Sequence, residues 1–132
     1  MNIYLDIDGV LLKKDGTLAN HFEEFLEFFV MKHNVFWLTT HCHGGECDAI
    51  DHISAKNKLS PRTLDLLQKI KPTNFKLWKT EGIDFSKDFI WLDDYAFDGE
   101  REKLEKNGVL QKLIQIDLKA DPDHLAKIMK IL

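Results

Sequence analysis

The sequence predicts a three-layer α/β domain, in which a parallel sheet carries helices on both faces. Three short apolar runs, typical of strands buried on both faces, lie at residues 2–7, 35–38 and 89–92. Amphipathic segments separate these runs, and strands that alternate with helices favour a parallel sheet. The 132 residues, 44% of them hydrophobic, suffice for one domain over residues 1–132 with a core of its own.

In the first half, local signals predict a flap and two helices. Asp15-Gly16 is a hairpin turn signal between apolar flanks and predicts a small flap over residues 11–18. Asn20 is a predicted N-cap for a helix over residues 20–33, in which apolar residues recur at helical spacing. After the second strand, a polar loop leads into a predicted helix over residues 46–56.

In the second half, turn and cap signals delimit the elements. Ser60-Pro61 fits the N-cap and first turn of a helix, Asn107-Gly108 fits a helix C-terminus, and Asp121-Pro122 fits another helix start. The predicted elements are, in order, a helix from Pro61 to about residue 70, a weak edge strand over 75–78, a strand over 89–92, a helix over 98–107, a strand over 112–116 and a helix over 122–131.

The bulk properties exclude several classes of protein. The net charge of −4, from 18 basic and 22 acidic residues, argues against a protein that coats nucleic acid through its overall positive charge. Residues 1–12 lack a basic segment ahead of an apolar one, so we predict no secretory signal. No apolar run approaches the ~20 residues of a membrane span. Two cysteines are too few for a disulfide framework, and we predict reduced thiols and a cytoplasmic location.

Each strong apolar run delivers small, oxygen-bearing side chains at its carboxyl end, where ligands bind in an open parallel sheet. These side chains are Asp6 and Asp8, Thr39 and Thr40, and Asp93 and Asp94. Asp6 and Asp8 share one face of an extended chain. At about 4 Å and an effective dielectric of about 20, two carboxylates repel by roughly 4 kcal/mol, so a cation or a proton is expected between them. Carboxylates suit Mg²⁺, which leaves coordination positions for phosphate, and Lys79 is the candidate ammonium for the other phosphate oxygens.

Four motifs in this order resemble those of the haloacid dehalogenase-like (HAD) phosphohydrolases. They are Asp6-Ile7-Asp8-Gly9-Val10-Leu11 for the pattern D-x-D-G-x-[TVL], Val35 to Thr39 for an apolar strand that ends in Ser or Thr, Lys79 for the third-motif lysine, and Leu92-Asp93-Asp94 for a strand that ends in two acids. The resemblance covers residues 2 to about 98. It implies a Rossmann-like, HAD-like fold and a Mg²⁺-dependent phosphatase.

The resemblance also implies a role for each matched residue. Asp6 would attack phosphorus and form an aspartyl-phosphate, and Asp8 would act as general acid and then general base. Thr39 and Lys79 would bind the phosphoryl group and neutralise its charge. The residues expected to hold Mg²⁺ are Asp6, Asp8, Asp93 and Asp94, and those expected to contact substrate are Gly9, Thr39, Thr40 and Lys79.

The sequence leaves several alternatives open at this site. Lys76 is an alternative to Lys79 as the third-motif lysine. Asp93 is either a direct metal ligand or a residue that supports the direct ligands, and Asp98 is a further candidate ligand. Zinc is a second hypothesis for the loop residues His41, Cys42, His43 and Cys47, but their spacing lacks the second pair of a structural site. A polar rim beside the phosphate is the favoured interpretation of that loop.

The spacing of the motifs leaves no room for a large cap domain. Thirty-one positions separate Asp8 from Thr39, and the flap and one helix fill them. Such a site is open to bulky substrates, and the resemblance implies macromolecular phosphates, because HAD-like proteins of this kind often act on phosphoproteins, nucleic-acid ends or carbohydrates. The small size also permits oligomers in which a neighbour supplies the lid. The alternatives are a metal-dependent nuclease, a phosphate-binding domain without turnover and a phospho-accepting receiver module. A receiver, however, places its adjacent acids after the first strand.

Overall fold

Four strands form one parallel sheet in the computed structural model of the chain, which describes residues 1–43 and 46–132. The sheet strands are β1 (Asn2–Leu5), β2 (Asn34–Trp37), β5 (Phe89–Asp93) and β6 (Leu113–Gln115), and a separate hairpin pairs β3 (Cys42–His43) with β4 (Glu46–Cys47). The helices are α1 (Phe22–Val30), α2 (Ala49–Ser54), α3 (Pro61–Gln68), α4 (Asp98–Lys106) and α5 (His124–Ile131), with 3₁₀ helices at Lys79–Gly82 and Leu110–Lys112.

Helices cover both faces of this sheet because successive residues of a strand point to opposite sides. In β1, Ile3 and Leu5 belong to a buried cluster that includes apolar residues of α1, α2, α3 and α5. Tyr4 points the other way, into a second cluster with Trp91 of β5 and Leu104 of α4. The predicted α/β class with a parallel sheet is therefore confirmed, and the arrangement is compatible with a Rossmann-like fold.

The strand order β2-β1-β5-β6 places β1 and β5 side by side at the centre of the sheet. Leu5 of β1 lies between Trp37 of β2 and Leu92 of β5. The chain runs outward from β1 to β2 in one direction and returns to β5 on the other side. The carboxyl ends of β1 and β5 thus flank a topological switch point, where ligands bind in open α/β sheets.

The predicted flap is a turn held against the segment that follows α2. The Lys13 N–H donates to the Thr17 carbonyl over 2.8 Å, which closes the turn. The Asn57 amide donates to the Gly16 carbonyl over 2.9 Å, and the Leu18 N–H donates to the Asn57 side-chain oxygen over 3.1 Å. The flap therefore has a fixed position beside the carboxyl edge of the sheet.

The predicted strand over residues 75–78 is wrong. The three N–H groups of residues 76–78 donate to the Glu81 carboxylate over 3.3, 3.0 and 2.7 Å. These bonds hold the segment as a bend that leads into the 3₁₀ helix Lys79–Gly82. A local side chain thus takes the donors that a sheet neighbour would have used.

Several other predictions need correction in detail. Asn20 does not cap α1: its amide donates to Asp123 over 3.1 Å, and the helix begins at Phe22. The helix predicted over residues 46–56 is shorter, because residues 46–47 belong to the hairpin. The predicted reduced thiols are replaced by a Cys42–Cys47 disulfide across that hairpin.

Other predictions are confirmed. Ser60 caps α3, because its hydroxyl accepts from the Thr63 N–H over 3.1 Å. The strands at residues 89–93 and 113–115 and the helices α4 and α5 lie within a few residues of their predicted bounds. Within the described ranges, none of the helices has both the length and the apolar character needed to cross a bilayer.

Candidate active site

A cluster of acids lies where β1 and β5 end. Asp6 directly follows β1, and its N–H donates to the Leu92 carbonyl of β5 over 3.0 Å. Asp93 is the last residue of β5, and Asp94 follows it. The parallel register of the two strands therefore brings Asp6 to the same edge of the sheet as the adjacent acids Asp93 and Asp94.

Lys79 lies between two of these acids. Its ammonium nitrogen is 2.7 Å from the Asp93 Oδ2 and 3.4 Å from the Asp6 Oδ1. The side chains of Lys79, Asp6 and Asp93 are only 16%, 12% and 1% exposed. Lys79 begins a 3₁₀ helix, and its backbone N–H donates to the buried Glu100 carboxylate over 2.7 Å. The lysine is thus fixed through its backbone as well as through its charge.

The buried acids and the lysine shift one another's pKa. Burial and the adjacent Asp6 carboxylate raise the pKa of Asp93 to about 8, although Lys79 acts in the opposite direction. Burial alone would lower the pKa of Lys79, but the charges of Asp6 and Asp93 outweigh it and raise that pKa. Asp94 adds a third carboxyl group, with an oxygen within 4.8 Å of those of Asp6 and Asp93, so an additional cation would lower the electrostatic cost of this cluster.

The same carboxylates have the chemistry of a magnesium site. Asp6, Asp93 and Asp94 each offer an oxygen atom, and these atoms lie within 4.8 Å of one another. Asp93 also accepts hydrogen bonds from the Trp91 indole N–H at 3.1 Å and the Tyr95 N–H at 3.3 Å. Because Asp93 is occupied by these donors and by Lys79, Asp6 and Asp94 are the carboxylates best suited to a hard cation.

Gly9 gives Asp94 the space that it occupies. Gly9 has a φ of +80°, and a Cβ atom built on it would lie 2.4 Å from the Asp94 Oδ2. Only glycine combines this backbone conformation with so close an approach of the carboxylate. The glycine that follows Asp8 in the first motif is therefore needed for the position of Asp94.

Asp8 lies apart from the buried cluster and contacts two histidines. Its Oδ2 is 3.2 Å from the His41 Nε2, and its Oδ1 is 2.8 Å from the His52 Nε2. The Asp8 side chain is 60% exposed. Partial burial would raise the pKa of Asp8, but the contacts with His52 and His41 outweigh it and hold that pKa below its usual value.

The remaining predicted residues have different surroundings. Thr39 is buried after β2, and its hydroxyl accepts from the His41 N–H over 3.3 Å. Thr40 is exposed and lines a different depression, beside the β3–β4 hairpin. Lys76 has an exposed side chain, so Lys79 is the lysine next to Asp6. Asp98 is the exposed first residue of α4 and lies outside the group of three acids.

The loop considered for zinc has a different arrangement from the one its sequence suggested. Cys42 and Cys47 are joined to each other, so neither offers a thiolate. His41 contacts Asp8 rather than the cysteines. The side chain of His43 lies outside the described residues, and the hypothesis about it is not tested.

Sequence reasoning missed three residues of the site. His52 lies in α2, where a lone histidine in a short amphipathic helix carries no signal of its own. Asp48 precedes α2 and contacts the His41 Nδ1 at 3.2 Å. Glu100 holds the N–H groups of Lys79 and Phe97, and only its place in the first turn of α4 could have indicated a capping role.

A cleft of about 1070 Å³ opens beside these acids. Asp8, Gly9 and Asp94 line it, together with lysines from the flap and from the segment after β6. These lysines are Lys13, Lys14 and Lys119. Asp15 and Asp117 line the same cleft, so its lining combines these three lysines with four acids.

The site therefore offers a carboxylate beside a fixed ammonium, a further acid for a cation and a separate acid that lines a cleft. This combination suits a phosphate ester and a divalent ion. Comparisons of the chain with protein-family models, with curated proteins and with solved structures found no match.

Proposed function

We propose that this protein is a Mg²⁺-dependent phosphomonoesterase of the HAD-like type, with Asp6 as its nucleophile. The observation that carries the proposal is the position of Asp6 at the switch point, 3.4 Å from the Lys79 ammonium and grouped with Asp94. The order of the four motifs supports it independently. A structural ion pair would explain Lys79 and Asp93, but not the additional acid held against Gly9.

The reaction follows from these groups. An Asp6 oxygen attacks phosphorus in line, the phosphorus–oxygen bond of the ester breaks, and the leaving oxygen takes a proton through Asp8. Because the contacts with His52 and His41 hold the pKa of Asp8 below its usual value, that proton comes from the His52 imidazole, 2.8 Å from the Asp8 Oδ1. A water molecule, deprotonated by Asp8, then attacks the phosphorus of the aspartyl-phosphate, releases inorganic phosphate and regenerates Asp6. Lys79 neutralises charge on Asp6 and on the transferring group.

Mg²⁺ would be held by the carboxylates of Asp6 and Asp94 and by the backbone carbonyl of Asp8, with Asp93 as the further predicted ligand. Bound Mg²⁺ would supply a Lewis acid for the phosphoryl oxygens. In the proposed site, Asp93 also orients Lys79 through the contact of 2.7 Å, and Trp91 and Tyr95 hold Asp93 in place.

The proposed substrate is a bulky phosphomonoester. The cleft beside Asp8 and Asp94 measures about 1070 Å³ and has lysines along its walls. The segment between β1 and β2 contains the flap and α1, with no separate lid domain in this described stretch. A phosphorylated protein, a nucleic-acid end and a sugar phosphate all fit this description.

The test is a phosphate-release assay with purified, Mg²⁺-loaded protein. The panel contains an aryl phosphate, 3′- and 5′-phosphorylated oligonucleotides, phosphopeptides and sugar phosphates. We expect release that is lost in chelator and reduced at least about 10³-fold in Asp6→Asn, as for other catalytic nucleophiles. Asp65→Asn, at an exposed position of α3, is the matched control and should retain the activity.

Three outcomes would contradict the proposal. Absence of phosphate release across the whole panel would exclude the activity. Cleavage of internal phosphodiesters would identify a nuclease instead. Stable phosphorylation by acetyl phosphate, without turnover, would identify a phospho-accepting binding module.

A further inference from the structure

We infer that Asp8, His41 and His52 form a second metal site, which takes a transition ion such as Zn²⁺ and is distinct from the carboxylates around Asp6. Three separate segments supply the ligands: the turn after β1, the turn before β3, and helix α2. The ligand atoms of all three residues lie within 4.8 Å of one another.

The two imidazoles present the same nitrogen to the same carboxylate. The His41 Nε2 is 3.2 Å from one Asp8 oxygen, and the His52 Nε2 is 2.8 Å from the other. The rings stack with their centroids 3.8 Å apart and their planes at 18°. Stacking therefore holds both nitrogens on one side, each opposite one oxygen of the same carboxylate.

The hydrogen-bond count around His41 points to a cation. A neutral imidazole has one N–H donor and one lone pair. His41 nevertheless faces a carboxylate from each nitrogen, with Asp48 at 3.2 Å from Nδ1 and Asp8 at 3.2 Å from Nε2. If Nδ1–H donates to Asp48, the Nε2 lone pair faces Asp8 oxygen lone pairs. A second ring proton would turn this repulsive contact into a hydrogen bond, whereas a metal ion between Nε2 and Asp8 would turn it into two coordinate bonds.

Asp48 completes an arrangement that is common around metal ligands. A histidine that binds a metal through one nitrogen usually donates its other N–H to a carboxylate, which fixes the ring and the tautomer. Asp48 stands in this position toward His41. It precedes α2 without making a side-chain cap bond there, because its carboxylate is directed to His41 instead.

The ligand types separate this site from the one proposed for Mg²⁺. Two imidazole nitrogens and one carboxylate suit Zn²⁺ and neighbouring transition ions, whereas Mg²⁺ prefers oxygen ligands. Three protein ligands leave a fourth tetrahedral position for water or an anion. All three side chains are partly exposed, so an ion can reach them. A consequence that rests on the proposed function is that a bound ion would withhold Asp8 from proton transfer.

The test is a metal titration of chelator-treated protein, followed by calorimetry with Zn²⁺ and by visible absorption with Co²⁺. We expect one equivalent to bind, with a tetrahedral Co²⁺ spectrum, in the presence of millimolar Mg²⁺. His41→Ala and His52→Ala should each weaken binding at least tenfold. His124→Ala, on α5, is the matched histidine control and should leave binding unchanged. Circular dichroism verifies that each variant is folded.

Asp6→Asn separates this proposal from the proposed phosphatase. It should abolish phosphate release and leave the Co²⁺ spectrum unchanged. Absence of Zn²⁺ and Co²⁺ binding would overturn the second site and leave a hydrogen-bonded cluster. Binding that is lost in Asp6→Asn but retained in both histidine variants would also overturn it, because the ion would then occupy the buried carboxylates.

Discussion

Asp6 and Asp8, at this edge of the sheet, are only two residues apart in sequence, yet they differ in exposure and in the kind of residue that they contact. Asp6 is 12% exposed and shares a buried lysine with Asp93. Asp8 is 60% exposed and contacts histidines from a loop and a short helix. The partners of Asp6 come from a strand end and a 3₁₀ helix fixed by Glu100.

Burial therefore sets a division between the two acids of the D-x-D motif: Asp6 is strongly coupled to its partners and Asp8 is weakly coupled to its own. In the buried group, water cannot screen the charges, so each partner has a large effect on stability and on pKa. In the exposed group, water screens the contacts, so they cost little to break and exchange readily with a metal or a substrate.

Removal of the buried lysine should have the largest effect. Lys79→Met leaves Asp6 and Asp93 without their cation, and loss of one partner of a buried pair costs about 3–5 kcal/mol. We expect the free energy of unfolding, measured by urea denaturation at pH 7, to fall by about 3 kcal/mol or more. Lys76→Met, at an exposed position three residues earlier, should change it by less than about 0.5 kcal/mol.

A double variant sharpens this test. Asp93, with its pKa raised to about 8, is largely protonated at pH 7, so Asp6 carries the charge that loses its partner. In Lys79→Met/Asp6→Asn, this unpaired charge is removed together with the lysine, so much of the lost stability should return. Equal losses in the single and the double variant would show that packing of the lysine stem, rather than the charge, explains the effect.

Gly9→Ala should have the next largest effect. The new Cβ atom would meet the Asp94 carboxylate, and the backbone has a φ of +80°. We expect a loss of roughly 2–3 kcal/mol, from backbone strain and displacement of Asp94. Gly108→Ala is the matched control, because Gly108 has a φ of +68° but no atom within 4 Å of an added Cβ. It should lose only about 1 kcal/mol.

The comparison of the two glycine variants isolates the contact with Asp94. Equal losses of unfolding free energy would mean that Asp94 moves aside without cost. In that case the close approach of its carboxylate would have no structural importance.

The sequence predicted strands correctly where apolar runs were continuous. The strand prediction failed where a nearby side chain accepted the backbone hydrogen bonds that a neighbouring strand would have accepted. The runs at residues 2–7 and 89–92 have no other way to bury their side chains, and both are strands. Residues 75–78 have a similar apolar content, but Glu81 takes their N–H groups. That competition depends on the path of the folded chain, which local propensity does not contain.

The same distinction applies to the site. Asp6 and Asp93 could be placed together because they lie at the ends of two strands that reach one edge. Lys79 was placed only by its position in the motif order, since the strand predicted before it does not form. The histidine partners of Asp8 could not, because His52 reaches the site only through the packing of α2. Residues delivered by strands are predictable from pattern, whereas residues delivered by short helices and loops depend on tertiary packing.

Mg²⁺ should stabilise the folded protein through the buried group. A ligand that binds only the folded state at ten times its Kd adds about 1.4 kcal/mol to the free energy of unfolding, or about 5 °C in Tm for a domain of this size. We expect this shift with Mg²⁺ in calorimetry and expect its loss in Asp94→Asn. Asp65→Asn should retain the shift. A shift that survives in Asp94→Asn would show that Mg²⁺ binds elsewhere.

His52→Ala, measured in chelator, should have the smallest effect on stability. The contact of 2.8 Å with Asp8 is shorter than the contact of Asp6 with Lys79, so distance alone would rank it as the stronger interaction. Exposure reverses that order, because solvent-exposed pairs contribute about 0–1 kcal/mol. Alanine also favours α2 slightly more than histidine does. We therefore expect a loss below about 1 kcal/mol in urea denaturation, and a loss close to that of Lys79→Met would refute the proposed division between buried and exposed acids.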